Sequence, residues 1–345
     1  ESFLMIYVRL WLYSLFALVF LMVILGGLTR LTDSGLSITE WKPLTGALPP
    51  ISVEGWLIEF QKYSEIPEFK LQNSDMSLSE FKVIYWWEWG HRQLGRIIGL
   101  VWFVGFFLLL GLRKFNKELI WQSFLIGFLI GVQGAIGWWM VSSGLEEGML
   151  DVASYRLSIH LLTAFFILSL IYWRILRIHH EYNLSISRSQ FSTALYFLSI
   201  IMLLVLYIQI FSGGLVAGID AGTAYNEWPL MNGQVLPDES FDLLPIWINF
   251  FHISALVQFN HRILGYLLFF LVLIFFIIAK YDTNPAIKRS SFYLIFVATL
   301  QVCLGIITIL SEAELLYAAL HQAGGMIFLI AVLNSLFMSS RYRNV

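Results

Sequence analysis

Eight apolar runs set the limits on what this chain can become. They lie near residues 9–29, 88–112, 118–141, 154–177, 191–216, 249–279, 290–311 and 315–339. Each is roughly 20 residues or more, enough to cross a hydrocarbon core of about 30 Å at about 1.5 Å per helical residue. Only 13% of the 345 residues are charged and 58% are hydrophobic, whereas a soluble domain carries about 25% charged residues. The sequence therefore predicts an all-α polytopic membrane protein with eight transmembrane helices. Its expected surroundings are membrane lipid, and no nucleic-acid partner is expected.

Lysine and arginine bias sets the orientation of such helices. Arg113, Lys114 and Lys117 fall between the second and third runs, and Arg174, Arg177 and Arg188 around the loop from fourth to fifth. Lys280, Lys288 and Arg289 lie between the sixth and seventh, and Arg341 and Arg343 follow the eighth. The opposite loops carry Glu146, Glu147 and Asp151, then Asp220, Glu227, Asp238, Glu239 and Asp242, then Glu312 and Glu314. The basic loops belong on the cytoplasmic side. Both termini are then inside, and the long loops, about 31–86 and 217–248, are outside. Pro, Gly and Trp in those loops predict ordered caps with short helices. The chain starts at Glu, so a short N-terminal piece is expected before residue 1. The first run is long enough to stay as a helix and not be cleaved. The expected compartment is a bacterial inner membrane, with the mitochondrial inner membrane as the alternative. The one cysteine, Cys303, leaves no intramolecular disulfide.

The two halves repeat. Gly26, Gly27, Leu28, Asp33, Gly35, Glu40, Trp41, Gly46 and Pro50 recur without a gap as Gly213, Gly214, Leu215, Asp220, Gly222, Glu227, Trp228, Gly233 and Pro237. A His-Arg-x-Leu-Gly pentad follows in each, at 91–95 and 261–265. Gln133 with Gly137 matches Gln301 with Gly305, and His160 matches His321. Each half has an even number of spans, so both copies share one orientation. That is a parallel repeat with a pseudo-twofold axis along the membrane normal. Two four-helix bundles are the expected product. Residues 1–180 form the N-terminal half with its outer loop 31–86, and residues 181–345 the C-terminal half.

Spans two, four, six and eight run from outside to inside. They carry His91, His160, His261 and His321 within their first two to three turns. Pairing His91 with His160, and His261 with His321, sets two imidazoles across each bundle. That arrangement suits axial ligation of a haem iron within a dry shell. One histidine in an apolar helix is as often a satisfied core residue. Four, duplicated at matched depth where ionisable groups are costly, point to ligation. His179 and His180 read as solvated or lipid-facing, and His252, with no counterpart, as structural. Arg92, Arg96 and Arg262 either pair with haem propionates or snorkel to headgroups. Trp86, Trp87 and Trp89 read as an interfacial belt, with stacking on a macrocycle as the second reading. Gly127, Gly131, Gly134 and Gly137 share a face of the third span and read as helix packing.

Glu88, three residues before His91, lies on that histidine's helix face, and its counterpart is Gln258. A carboxylate there can accept a proton, orient a water or bond to a ligand imidazole. An amide cannot act as a base. The N-terminal half is therefore expected to react, and the C-terminal half to carry electrons.

Residues 26–50 (GGLTRLTDSGLSITEWKPLTGALPP), 87–100 (WEWGHRQLGRIIGL) and 133–145 (QGAIGWWMVSSGL) resemble haem A synthases, in the branch shared by proteobacteria and mitochondria. The likeness covers nearly the whole chain. It implies oxidation of the methyl on carbon 8 of the haem O porphyrin to the formyl group of haem A, for cytochrome oxidase. Two successive hydroxylations and loss of water from the gem-diol are the implied course. The resemblance implies haem b as cofactor between His261 and His321. It places the substrate, haem O, between His91 and His160, with Glu88 as the functional carboxylate. Haem O synthase and cytochrome oxidase assembly factors are the implied partners, and a homo-oligomer is left open. Some members have a cysteine pair in the first outer loop. This chain has none there, so a thiol-based mechanism does not transfer. Two other classes fit the same residues. One is a di-haem, quinol-coupled electron carrier with Glu88 as a proton exit. The other is a haem transporter or chaperone.

Overall fold

A computed structural model describes residues 2–112, 116–182 and 192–340, without the side chains of 2–4 and 180–182. The orientation residues Arg113, Lys114, Arg188, Arg341 and Arg343, and the side chain of His180, lie outside the described residues. Eight long helices follow one another: α1 (Ser2–Leu31), α2 (Leu78–Gly111), α3 (Lys117–Gly144), α4 (Ser154–Tyr182), α5 (Thr193–Gly218), α6 (Ser254–Ala279), α7 (Pro285–Leu310) and α8 (Leu315–Ser339). Every one is long and apolar enough to cross a membrane, and the protein is a multi-pass membrane protein. Lipid offers no hydrogen bonds, so the backbone closes its own within each helix. Among the described residues the extended pairing is limited to one isolated bridge, Met231 with Gln234.

The helices match the eight apolar runs one to one, with two informative shifts. α2 starts at Leu78, not near residue 88. Ser77 and Glu80 form a reciprocal capping box there, which satisfies two otherwise unpaired backbone N–H groups. The added turns bury Phe81 and Tyr85 against a short helix, Val53–Ser64. His91 consequently lies about four turns into its helix. α6 starts at Ser254, because Ile253 is extended (φ −93°, ψ 114°) and breaks the chain after the turn Asn249–His252.

Both long loops are ordered. In the first, Val53–Ser64 and Pro67–Gln72 are helical. Trp56, Tyr63, Phe81 and Tyr85 form a small core with Phe60 and Phe69 at its edge. The Trp56 and Tyr85 rings meet edge to face at 5.0 Å, and Tyr63 stacks on Phe81 at 5.3 Å. In the second loop, Asn249 is fully buried. Its amide accepts from Leu243 N and donates to the carbonyls of Leu243 and Ile246, each at 2.8 Å.

The chain divides into two compact units, Glu1–Ile167 and Leu168–Val345. In the first, α2 packs on α1 and on α3, and α3 meets α4 where Trp139 stands over Tyr155 and Arg156. In the second, α5 packs on α6, α6 on α7, α7 on α8 and α8 on α5, closing a four-helix ring. The last turns of α4 belong to this unit, with Ser169 accepting from Tyr207 at 2.7 Å and Trp173 on Phe337. Each unit turns its chain alike after its first helix. Asp33 (φ 46°) and Asp220 (φ 50°) are both left-handed, a conformation that Asp tolerates better than most residues.

Candidate functional site

The site begins with four glycines. Gly26 on α1 lies against the ring of His91 on α2, and a Cβ on it would stand 2.9 Å from His91 Cε1. Gly137 on α3 meets His160 on α4 in the same way, at 3.0 Å. In the other unit, Gly213 on α5 meets His261 on α6 at 3.1 Å, and Gly305 on α7 meets His321 on α8 at 2.9 Å. Every imidazole therefore rests on bare backbone of the preceding long helix. Any side chain there would push the ring aside. Of the glycines expected to pack helices, Gly137 seats a histidine ring and Gly127 lies against the Trp102 indole, while Gly131 and Gly134 have no atom within 4 Å of their Cβ positions.

The ring centroids of His261 and His321 are 6.4 Å apart, with planes at 82°. Two metal–imidazole bonds of about 2 Å, each with about 1 Å more from nitrogen to ring centre, sum to about 6 Å. The pair therefore fits the two faces of one metal ion. Among the described residues no cluster of three or more His, Cys, Asp or Glu side chains could hold a bare ion. Two imidazoles suffice for a haem, whose macrocycle supplies the other ligands. His91 and His160 are within electrostatic reach of each other in the first unit. Their Nδ1 atoms are buried, with no hydrogen-bond partner among the described residues.

Glutamines hold the backbone behind three of these histidines. Gln133 Nε2 donates to His160 O and Gln301 Nε2 to His321 O, both at 2.9 Å, and Gln209 Nε2 to His261 O at 3.1 Å. The residue that matches Gln209 in the first repeat is Met22.

Glu88 is 2% exposed, and both its oxygens are occupied. Oε2 accepts from Ile38 N at 2.6 Å and from Ser37 Oγ at 2.7 Å. Oε1 accepts from Arg92 Nε at 2.9 Å and Arg92 Nη2 at 2.5 Å. Arg92 also donates to the carbonyls of Ile38 (2.6 Å) and Glu40 (2.8 Å). The second unit repeats the plan with the donors exchanged. Arg262 Nη2 donates to Gln258 Oε1 at 2.7 Å and to Glu227 O at 2.8 Å, and Nη1 to Leu230 O at 3.1 Å. Gln258 Nε2 donates to the carbonyls of Ala221 (2.7 Å) and Tyr225 (3.0 Å). A segment of each long outer loop is thus clamped to a histidine helix by an Arg and its partner at i−4. The acidic partner faces loop donors, and the amide partner faces loop acceptors. Arg96 joins the first clamp through the carbonyls of Lys42 and Pro43.

Around the first site, Trp86 packs on Trp56 and Trp89, and the buried Trp89 Nε1 has no partner among the described residues. His179 and His252 are exposed. Beneath the first loop, Glu68 is 4% exposed. It accepts from Tyr63 Oη at 2.9 Å, and Asn73 Nδ2 donates to Tyr63 Oη at 2.8 Å. Burial pushes the Glu68 carboxyl up to about 7, with smaller contributions from Asp151, Asp33 and Glu88. Sequence reasoning did not reach the glycine seats, the glutamine props or this buried acid. The repeat of Gly26 as Gly213, and of Gln133 with Gly137 as Gln301 with Gly305, is the signal that marks the first two.

A multi-pass helical protein with two pairs of half-buried histidines on its membrane helices, and a buried carboxylate beside one pair, is the class that fold and site define. The chain belongs to the COX15-CtaA family, cytochrome oxidase assembly protein, which matches residues 9–333. It is 50% identical over 331 residues to the heme A synthase of Dinoroseobacter shibae, covering 96% of this chain and 86% of that protein. It is 47% identical over 337 residues to the heme A synthase of Ruegeria sp. strain TM1040, covering 96% and 88%. With the heme A synthase of Paracoccus denitrificans the identity is 46% over 329 residues, covering 95% and 86%.

Proposed function

We propose that the chain is a haem A synthase, an oxidoreductase that converts the methyl on carbon 8 of haem O to a formyl group for cytochrome oxidase. The observation that carries this reading is chemical asymmetry on a repeated scaffold. Both units bring two glycine-seated imidazoles together, and only the first sets a carboxylate, Glu88, on the face of its ligand helix. Near full-length likeness to heme A synthases supports the same assignment. In this reading His91 and His160 hold the substrate haem O, and His261 and His321 hold haem b. That resident haem supplies one-electron transfer when bound.

Glu88 belongs to the reacting half. Its Oε1 is committed to Arg92. Its Oε2 is the oxygen that can exchange a proton, because Ser37 Oγ has other acceptors nearby, Ser34 O at 3.0 Å and Ile84 O at 3.3 Å. Rotation of that hydroxyl frees one carboxylate lone pair without breaking the Arg92 clamp. Arg92 and Arg262 fix the loops over the two sites, and Arg92 thereby positions the acid. The enzyme works in a bacterial inner membrane with both termini cytoplasmic. It takes haem O from haem O synthase and passes haem A to cytochrome oxidase assembly factors.

The test is pigment extraction from cells that make haem O, lack haem A and express this chain. Haem A in the extract is the expected result. Unchanged haem O would reject the synthase reading and leave an electron carrier or a haem transporter.

A further inference from the structure

The two histidine pairs differ in what stands behind the rings. In the second unit, Ser212 Oγ lies 2.8 Å from His261 Nδ1. The same hydroxyl donates to Gln209 O, also at 2.8 Å. A serine hydroxyl has one hydrogen and two lone pairs. With the hydrogen spent on the Gln209 carbonyl, only lone pairs face the imidazole. That arrangement calls for the ring proton on Nδ1, which leaves Nε2 bare. The Gln209 amide does not compete for that role. Its Nε2 is nearly equidistant from the two ring nitrogens, at 3.2 and 3.3 Å, so it is in line with neither lone pair. Its aligned acceptor is the His261 carbonyl.

The gap-free repeat puts Leu25 where Ser212 stands and Met22 where Gln209 stands. Neither can accept a hydrogen bond of this kind. The buried Nδ1 of His91 accordingly lacks a partner among the described residues, and that of His160 lacks one as well. The seats themselves are alike, since a Cβ on Gly26 or Gly213 would stand 2.9 or 3.1 Å from Cε1 of its histidine.

We propose that Ser212 is a positioning residue: it locks His261 in the tautomer that offers Nε2 to iron and strengthens that nitrogen as a ligand. Leu25 in the first repeat leaves His91 without this support. Ligating histidines usually give their second N–H to an acceptor, which fixes the ring and raises its basicity. The second site is thereby built to retain its haem, and the first to exchange one. A synthase needs that division, because its cofactor stays while its substrate enters and its product leaves. The inference rests on the reading that His261 and His321 hold the resident haem.

The test uses the full chain, purified with its haem, and compares Ser212→Ala, Ser212→Thr and His261→Ala. Losing the acceptor makes the imidazole a poorer donor, which disfavours the ferric state most. Ser212→Ala should lose ferric haem at least about 10-fold more readily, the lower end of such substitutions. The midpoint potential should rise, by about 59 mV for a tenfold differential loss in a one-electron couple. Ser212→Thr should restore both, since its hydroxyl can make the same bonds from the same helix position. Leu25→Ser should slow haem O release from the first site. If Ser212→Ala keeps the parent potential and haem retention while His261→Ala loses the haem, the relay is refuted. The same holds if Ser212→Thr behaves like Ser212→Ala. If His261→Ala keeps the haem, the ligand assignment beneath the inference fails instead.

Discussion

Glu88→Gln looks mild, because the second repeat carries an amide at this place, but the two loops do not present the same groups. Arg92 approaches Oε1 with two N–H donors, so the amide oxygen has to stay on that side. The new NH2 then faces Ile38 N, now bonded to Oε2 at 2.6 Å. Two donors cannot satisfy each other. Ser37 can rotate away, but the Ile38 amide cannot. Leaving it buried and unpaired costs about 1–3 kcal/mol, and a lost charge-assisted bond to Arg92 is worth about 1.5–3 kcal/mol. The two terms together come to about 2.5–6 kcal/mol, a range that spans the usual penalty of about 3–5 kcal/mol for removing one partner of a buried ion pair. Gln258 escapes it because carbonyls of Ala221 and Tyr225 face its NH2. The cost falls on docking of residues 36–42. Exchange of those amides, followed by mass spectrometry on the purified protein, should accelerate by two orders of magnitude or more, at about 1.4 kcal/mol per tenfold. Haem A formation should fall in parallel or stop at a hydroxylated haem. Amide exchange within threefold of the parent would refute this reasoning and leave any loss of activity to proton transfer alone. Gln258→Glu sets a carboxylate against two carbonyls and should loosen residues 221–230 by the same logic.

The other expectations are simpler. Gly305→Ala or Gly213→Ala should displace His321 or His261 and weaken the resting haem spectrum, whereas Gly26→Ala should spare that spectrum and impair haem O binding. Intact spectra in the first two variants would overturn the seat argument. Glu68 has its carboxyl raised above the ordinary value of 4.5 to about 7 by burial. Its protonated form therefore favours the docked loop. That contribution, at most about 3 kcal/mol, is full below about pH 4.5 and lost as the pH rises through 7. Protease nicking of the first loop should be faster at pH 8 than at pH 5.5, and Glu68→Gln should flatten the difference. A reporter fused to the C-terminus should read as cytoplasmic.

The membrane helices were legible in the sequence because lipid enforces a long apolar run. The repeat was legible too, through its glycines and its His-Arg pentads. The extra turns at the start of α2 were not, since Phe81 and Tyr85 are buried by residues of the Val53–Ser64 helix, far beyond a helical period in sequence, and no local period reveals that. Arg92 read equally well as a propionate or headgroup partner, because carbonyl partners at 38 and 40 are backbone and leave no mark in the residue types. Gly137 looked like helix packing for a related reason. A glycine stripe reports close approach, but not whether a helix or an imidazole is what approaches. Ser212 was silent because it breaks the repeat, and a repeat directs attention to what it keeps.

The glycine seats also make the histidines into rulers. Each ring faces a glycine so closely that a Cβ there would not fit, which leaves little slack to absorb movement. A change of a few tenths of an ångström in the spacing of α5 from α6, or of α7 from α8, is passed directly to an imidazole. Bilayer thickness, lateral pressure or a poorly matched detergent would thus be written into ligand geometry before any helix unfolds. The optical spectrum of the retained haem is in that sense a strain gauge for the bundle around it.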